Sequence, residues 1–131
     1  KSGLLGVSGV SNDARYVWAA ANEGNERAAL AMELLVRQAK KIIGSYTAEM
    51  NGLDVLIFTA GLGENNPHLR EMVCENMEYY GIEIDKELNA KMLRQPNIVK
   101  LSTDNSKVAV YLIPTNEELM IAKDTLELVS K

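Results

Sequence analysis

The chain has 131 residues, 47% hydrophobic and 24% charged, and 14 Lys and Arg against 18 Asp and Glu leave a net charge of −4. That length suits one domain with a real core, and the acidic balance argues against nonspecific nucleic-acid binding and gives no reason to expect an acidic membrane. One cysteine, Cys74, excludes an internal disulfide and a Cys-based zinc site, and one histidine, His68, excludes a two-histidine metal site.

Residues 2–11 are rich in Gly and Ser and read as a loop with at most a short apolar element. They lack the apolar core of a signal peptide, and no run of about eighteen apolar residues follows. With the lone thiol, this points to a reducing cytoplasm. The chain opens without a methionine, inside a turn-forming segment, as a piece of a longer protein would.

Ser11-Asn12-Asp13 supplies a helix start, with Asp13 on the positive end of the dipole, and the helix is expected through Ala21. Asn25 then caps the longest helix, to about Tyr46. Ala28, Ala31, Met32, Leu35, Ala39, Ile42, Ile43 and Tyr46 recur there at spacings of three and four. Asn51-Gly52 ends it. The continuous apolar run from Leu53 to Ala60 predicts a strand buried on both faces. Asn66-Pro67 starts another helix, with Asn as cap and Pro at the first turn, and an apolar face of Leu69, Val73, Met77 and Tyr80.

Residues 81–85 suggest a short edge strand, Asp85 a cap for a helix over Lys86–Leu93, and 97–101 another short strand. Val108–Ile113 reads as a second buried strand, ended by Pro114. Thr115 and Glu118 have the spacing of a capping box before a last helix with Leu119, Ala122, Leu126 and Val129 on one face. Helices and strands alternate, which indicates α/β architecture.

Ligands of open α/β sheets bind beyond the carboxyl ends of strands. The first such end is Gly61-Leu62-Gly63-Glu64-Asn65. Glycines let backbone approach a ligand, but the segment is neither a P-loop nor G-x-G-x-x-G. A tight strand-to-helix turn and a nucleotide loop both stay open. The second end carries Glu117, which suits either the helix dipole or Mg²⁺, an ion needing only one or two carboxylates. Arg15 sits at a helix start, where the dipole disfavours it. A surface ion pair explains it, and so does an anionic or planar aromatic ligand. His68 reads as a solvated residue and Cys74 as packing. Trp18 reads as packing or as part of an interface. No spacing supports a Ser–His–Asp arrangement.

Three segments together carry a resemblance: Ser8-Gly9-Val10-Ser11-Asn12-Asp13-Ala14-Arg15, Phe58-Thr59-Ala60-Gly61-Leu62-Gly63-Glu64-Asn65 and Ile113-Pro114-Thr115-Asn116-Glu117-Glu118. In that order they closely resemble the C-terminal portion of the acetate/propionate kinase family. The likeness runs from about Ser2 to Leu128. It implies a single C-terminal domain over residues 1–131 with the ribonuclease-H-like fold of the actin/Hsp70/sugar kinase superfamily, a mixed sheet flanked by helices. It implies ATP/ADP and Mg²⁺ as cofactors and transfer of the γ-phosphoryl group to acetate. Asp13, Ala14, Arg15 and Gly61, Leu62, Gly63, Glu64, Asn65 would line the adenosine side, and Glu117 would take part in Mg²⁺ binding. Ala14 departs from the larger residue common in the family. The resemblance further implies a homodimer formed through this part. It also implies that the acetate-binding arginines, the catalytic Asp and His and the phosphate loop lie in a preceding part, so the chain alone is expected to be inactive. Propionate or butyrate as substrate, or a noncatalytic nucleotide-binding or dimerisation module, stay open.

Overall fold

The chain begins with three helices, α1 (Gly3–Ser8), α2 (Ala14–Asn22) and α3 (Glu26–Glu49), in a computed structural model that describes residues 2–130. Two of the starts are written in their caps. The Asp13 carboxylate accepts from Arg15 N at 2.9 Å, and Asn25 Oδ1 accepts from Ala28 N at 3.0 Å. The helix α1 replaces the expected loop. Leu4 and Val7 pack against the core of α2 and α3, and Gly9, in the left-handed region at φ 71°, closes the turn with its N–H on Leu5 O. Packing outweighs the weak helix propensity of this segment.

The long helix α3 buries Ala28, Ala31, Met32, Val36 and Thr47 against α1, α2 and α5 (Pro67–Cys74). Ile42 and Tyr46, expected on its buried face, are exposed. Between α3 and α5 run β1 (Val55–Phe58) and α4 (Ala60–Asn65). Asn66 Oδ1 accepts from Leu69 N at 2.9 Å and starts α5 as expected. That helix stops at Cys74, and Met77 and Tyr80 belong instead to the turn around the 3-10 segment Glu78–Tyr80.

Asp85 caps α6 (Lys86–Lys91), accepting from Leu88 N at 2.9 Å. The expected edge strand at 81–85 shrinks to a single bridge between Ile84 and Ser102. Then come β2 (Val99–Lys100), β3 (Ala109–Leu112) and α7 (Glu117–Val129). The sheet is mixed, in the order β1-β3-β2. β1 runs parallel to β3, with Val55 opposite Ala109 and Phe58 opposite Leu112, and β2 runs antiparallel.

Being an edge strand, β1 alternates where burial on both faces is expected. Val55 and Ile57 are 43% and 50% exposed, while Leu56 and Phe58 pack inward. One core cluster lies among the helices around Val17, Met32 and Val73; a second lies under the sheet around Ile82, Leu101 and Val110. Ile43 and Phe58 touch both. The apolar face of α7 covers nothing: every described residue of that helix is exposed.

Candidate functional site

Parallel pairing puts the carboxyl ends of β1 and β3 side by side. The hydroxyls of Thr59 and Thr115 lie 2.7 Å apart, and Ala60 N donates to Thr115 Oγ1 at 2.9 Å. Ala60 has φ 59°, in the left-handed region. A non-glycine residue held there stores on the order of 1 kcal/mol of strain. That kink turns the chain out of β1 into α4, so of the two readings left open the glycine-bearing segment follows the strand-to-helix turn and is itself helical. Thr115 is committed to this contact and does not cap the last helix. Asn116 does, its Oδ1 accepting from Leu119 N at 3.1 Å. The expected capping box of Thr115 and Glu118 is therefore not formed, and Glu118 is exposed.

Two clefts flank this junction. The larger, about 500 Å³, brings Asp13, Ala14 and Arg15 opposite Gly61, Leu62 and Asn65. Leu4, Asn12 and Asn66 line it too, and Leu4 reaches it only because residues 3–8 form a helix and not a loop. A Cβ at Gly61 would meet no atom within 4 Å, so the backbone there is open to a ligand. The Arg15 Nη2 donates to Asp13 Oδ2 at 2.5 Å, and Nε bridges both carboxylate oxygens at 3.1 Å. These bonds hold the Asp13 carboxyl down to about 2 and raise the Arg15 guanidinium. The Arg15 side chain is 79% exposed, so its outer edge is free to meet a ligand.

Gly63 and Glu64 do not line this cleft. Gly63 is buried against Phe58, whose carbonyl carbon would lie 3.3 Å from an added Cβ. Glu64 is 2% exposed and turns the other way, its Oε1 accepting from Thr115 N at 2.9 Å.

The smaller cleft, about 220 Å³, gathers Glu64, Thr115, Glu117 and Glu118 with Arg94. Gly61 borders both clefts. Arg94 had no distinguishing pattern in the sequence. Its Nε stands 3.5 Å from Glu64 Oε2. Among the described residues no three His, Cys, Asp or Glu form a ready cage for a metal. The donor set suits Mg²⁺ nonetheless, because that ion retains waters and needs few carboxylates. Glu117 is exposed at the cleft, as such a ligand must be.

The end of α4 is held from beneath by Arg70, which is fully buried. Its Nη1 donates to Gly63 O at 2.7 Å and Glu64 O at 3.1 Å, taking carbonyls the short helix leaves unpaired. Burial pushes the Arg70 guanidinium down to about 10. His68 stacks on Trp18 with ring centroids 5.0 Å apart. Cys74 is buried, and burial pushes its thiol up to about 12, which leaves it inert at neutral pH.

The arrangement is that of an α/β domain with a cleft and an acidic pocket at the carboxyl ends of parallel strands, where open α/β sheets place their ligand sites. The chain belongs to the Acetokinase family, whose family model matches residues 1–123. It is 54% identical over 129 residues to an acetate kinase of Moorella thermoacetica and 50% identical over 131 residues to one of Clostridium botulinum. Those matches cover 98% and 100% of this chain and 32% of each relative. The crystal structure of Porphyromonas gingivalis acetate kinase matches with a TM-score of 0.89 at 48% identity, over 98% of this chain and 32% of that one. A propionate kinase from Francisella tularensis matches with a TM-score of 0.80 at 37% identity, over 92% and 30%. The chain thus spans about a third of the length of the relatives it matches.

Proposed function

We propose that residues 1–131 are the C-terminal, nucleotide-binding domain of an acetate kinase, which moves the γ-phosphoryl group of ATP to acetate and yields acetyl phosphate and ADP. One observation carries this reading. Asp13–Arg15 and the trio Gly61, Leu62 and Asn65, far apart in sequence, meet across a single cleft, and membership of the Acetokinase family supports reading that cleft as the nucleotide site. In this reading Arg15 meets the adenosine with its planar guanidinium. Gly61 lets the backbone approach it closely, and Asn65 lines the same wall. Mg²⁺, when bound, neutralises charge on the transferring phosphates. Glu117 holds it directly or through water. A cytoplasmic location and a homodimer formed through this domain go with the reading.

Phosphoryl transfer needs positioning and charge neutralisation from several groups at once. The family likeness puts the acetate-binding arginines and the catalytic Asp and His in a preceding part, so the chain by itself is expected to show no turnover in a coupled acetyl phosphate assay. The likeness to a propionate kinase makes propionate the second substrate reading. A chemical-shift titration of the chain with ADP tests the nucleotide site. Weak binding, roughly millimolar, with shifts at 13–15, 61, 62 and 65 is expected. Shifts elsewhere only, or none at millimolar ADP, would overturn it.

A further inference from the structure

Glu64 is a carboxylate that the nucleotide-site reading leaves without a task. It is 2% exposed. Its Oε1 accepts from Thr115 N at 2.9 Å. Its Oε2 is shielded from solvent and has no hydrogen-bond partner. Arg94 Nε makes an ion pair with that oxygen at 3.5 Å from a side chain 65% exposed, without closing a hydrogen bond. A buried carboxylate half-satisfied in this way costs stability, and such groups call for an explanation beyond packing.

Its position supplies one. Glu64 belongs to α4, whose Gly61, Leu62 and Asn65 line the larger cleft. Thr115 opens the short segment that carries Glu117 into the smaller one. A single side chain therefore fastens the nucleotide wall to the segment bearing the metal-side carboxylate. Thr115 Oγ1 adds a second tie through Thr59 and Ala60. We infer that Glu64 is a positioning residue which, by holding the Thr115 N–H, sets the place of Glu117 relative to the nucleotide cleft and so the coupling between divalent cation and nucleotide. This rests on the reading of Glu117 as the Mg²⁺ residue. In this role Glu64 acts through Thr115 and not on either ligand.

The test is calorimetric titration of ADP, with and without Mg²⁺, in the full-length kinase containing this chain. The quantity read is the enhancement of ADP affinity by Mg²⁺. Glu64→Gln retains an acceptor for Thr115 N and is expected to keep the parent's enhancement within about twofold. Glu64→Met fills the same space without an acceptor and is expected to cut it about tenfold, the usual size of an outer-shell effect on metal binding. Mg²⁺-free affinity should stay within twofold in both. Unchanged enhancement in Glu64→Met overturns the inference. So does an equal loss with and without Mg²⁺, which marks a structural role only. A Glu64→Met protein that does not fold while Glu64→Gln loses the enhancement also overturns it, because the retained acceptor then carries nothing. Glu117→Gln separates the two claims. If it keeps the full enhancement, the reading of Glu117 falls and the inference with it. If it loses the enhancement while Glu64→Met does not, only the inference falls.

Discussion

Arg70 Nε donates to Asn89 Oδ1 across 2.7 Å, and neither residue has any exposed surface. The other guanidinium donors reach the carbonyls of Gly63, Glu64, Asn89 and Met92. Asn89 Nδ2 in turn donates to Pro67 O at 2.9 Å. A buried cation is thus satisfied by neutral oxygens and ties the end of α4 to α6. Losing it strands several buried acceptors, each costing about 1–3 kcal/mol. Arg70→Met is expected to destabilise the chain by at least about 3 kcal/mol in urea unfolding. Arg70→Lys should recover part of that loss. A change under about 1 kcal/mol for Arg70→Met would show the clasp to be dispensable.

Two glycines should respond to alanine in opposite ways. Gly81 has φ 86°, and an added Cβ would lie 2.8 Å from Lys107 Cβ. Gly81→Ala is expected to cost about 1–3 kcal/mol by thermal or urea unfolding. At Gly61 the added methyl meets nothing within 4 Å. Gly61→Ala should leave stability unchanged or raise it by up to about 1 kcal/mol, since alanine favours helix. The methyl projects into open cleft, so ADP affinity is expected to fall. Equal melting losses in both variants would contradict this division between scaffold and site.

Arg15 should matter for binding and not for folding. Its pair with Asp13 is exposed, and exposed pairs contribute little. Arg15→Ala is expected to leave the unfolding transition nearly unchanged while weakening ADP about tenfold in the full-length kinase, the size of a lost charge-assisted contact. Because the Asp13 carboxyl is held down to about 2 from 3.8, the pair persists at mild acidity and is lost only as pH falls between those values. ADP affinity unaffected by Arg15→Ala would remove this residue from the site.

Cys74 makes stability fall at alkaline pH. The thiol is raised from 9.0 to about 12 by burial, so between those values the unfolded chain releases a proton the folded chain keeps. Its contribution is complete below pH 9 and is lost as pH rises toward 12. Cys74→Ala should flatten that part of the stability curve, at the expense of some packing. Native Cys74 should also resist a thiol reagent at pH 8 that reacts at once after denaturation. Rapid labelling of the folded chain would contradict its burial.

Asn25, Asn66-Pro67 and Asp85 start helices in the structure where the sequence alone predicts them, and the two apolar runs contain β1 and β3. A cap accepts from a backbone N–H three residues away, and strand propensity is local, so neighbouring letters suffice. The facing of Asp13–Arg15 by Gly61, Leu62 and Asn65 was legible through the family likeness of the two segments, but the turning away of Gly63 and Glu64 was not. What only the tertiary structure decided depends on distant partners. Glu64 turns from the cleft because its acceptor site is met by Thr115 N, 51 residues on. Thr115 abandons the cap because Thr59 and Ala60 claim its hydroxyl from 56 and 55 residues back. Arg70 becomes a clasp only once α6 brings Asn89 and Met92 against it. In each case the partner is chosen by packing, not by proximity along the chain, and for Glu64 and Arg70 the polar group must be satisfied where water is excluded.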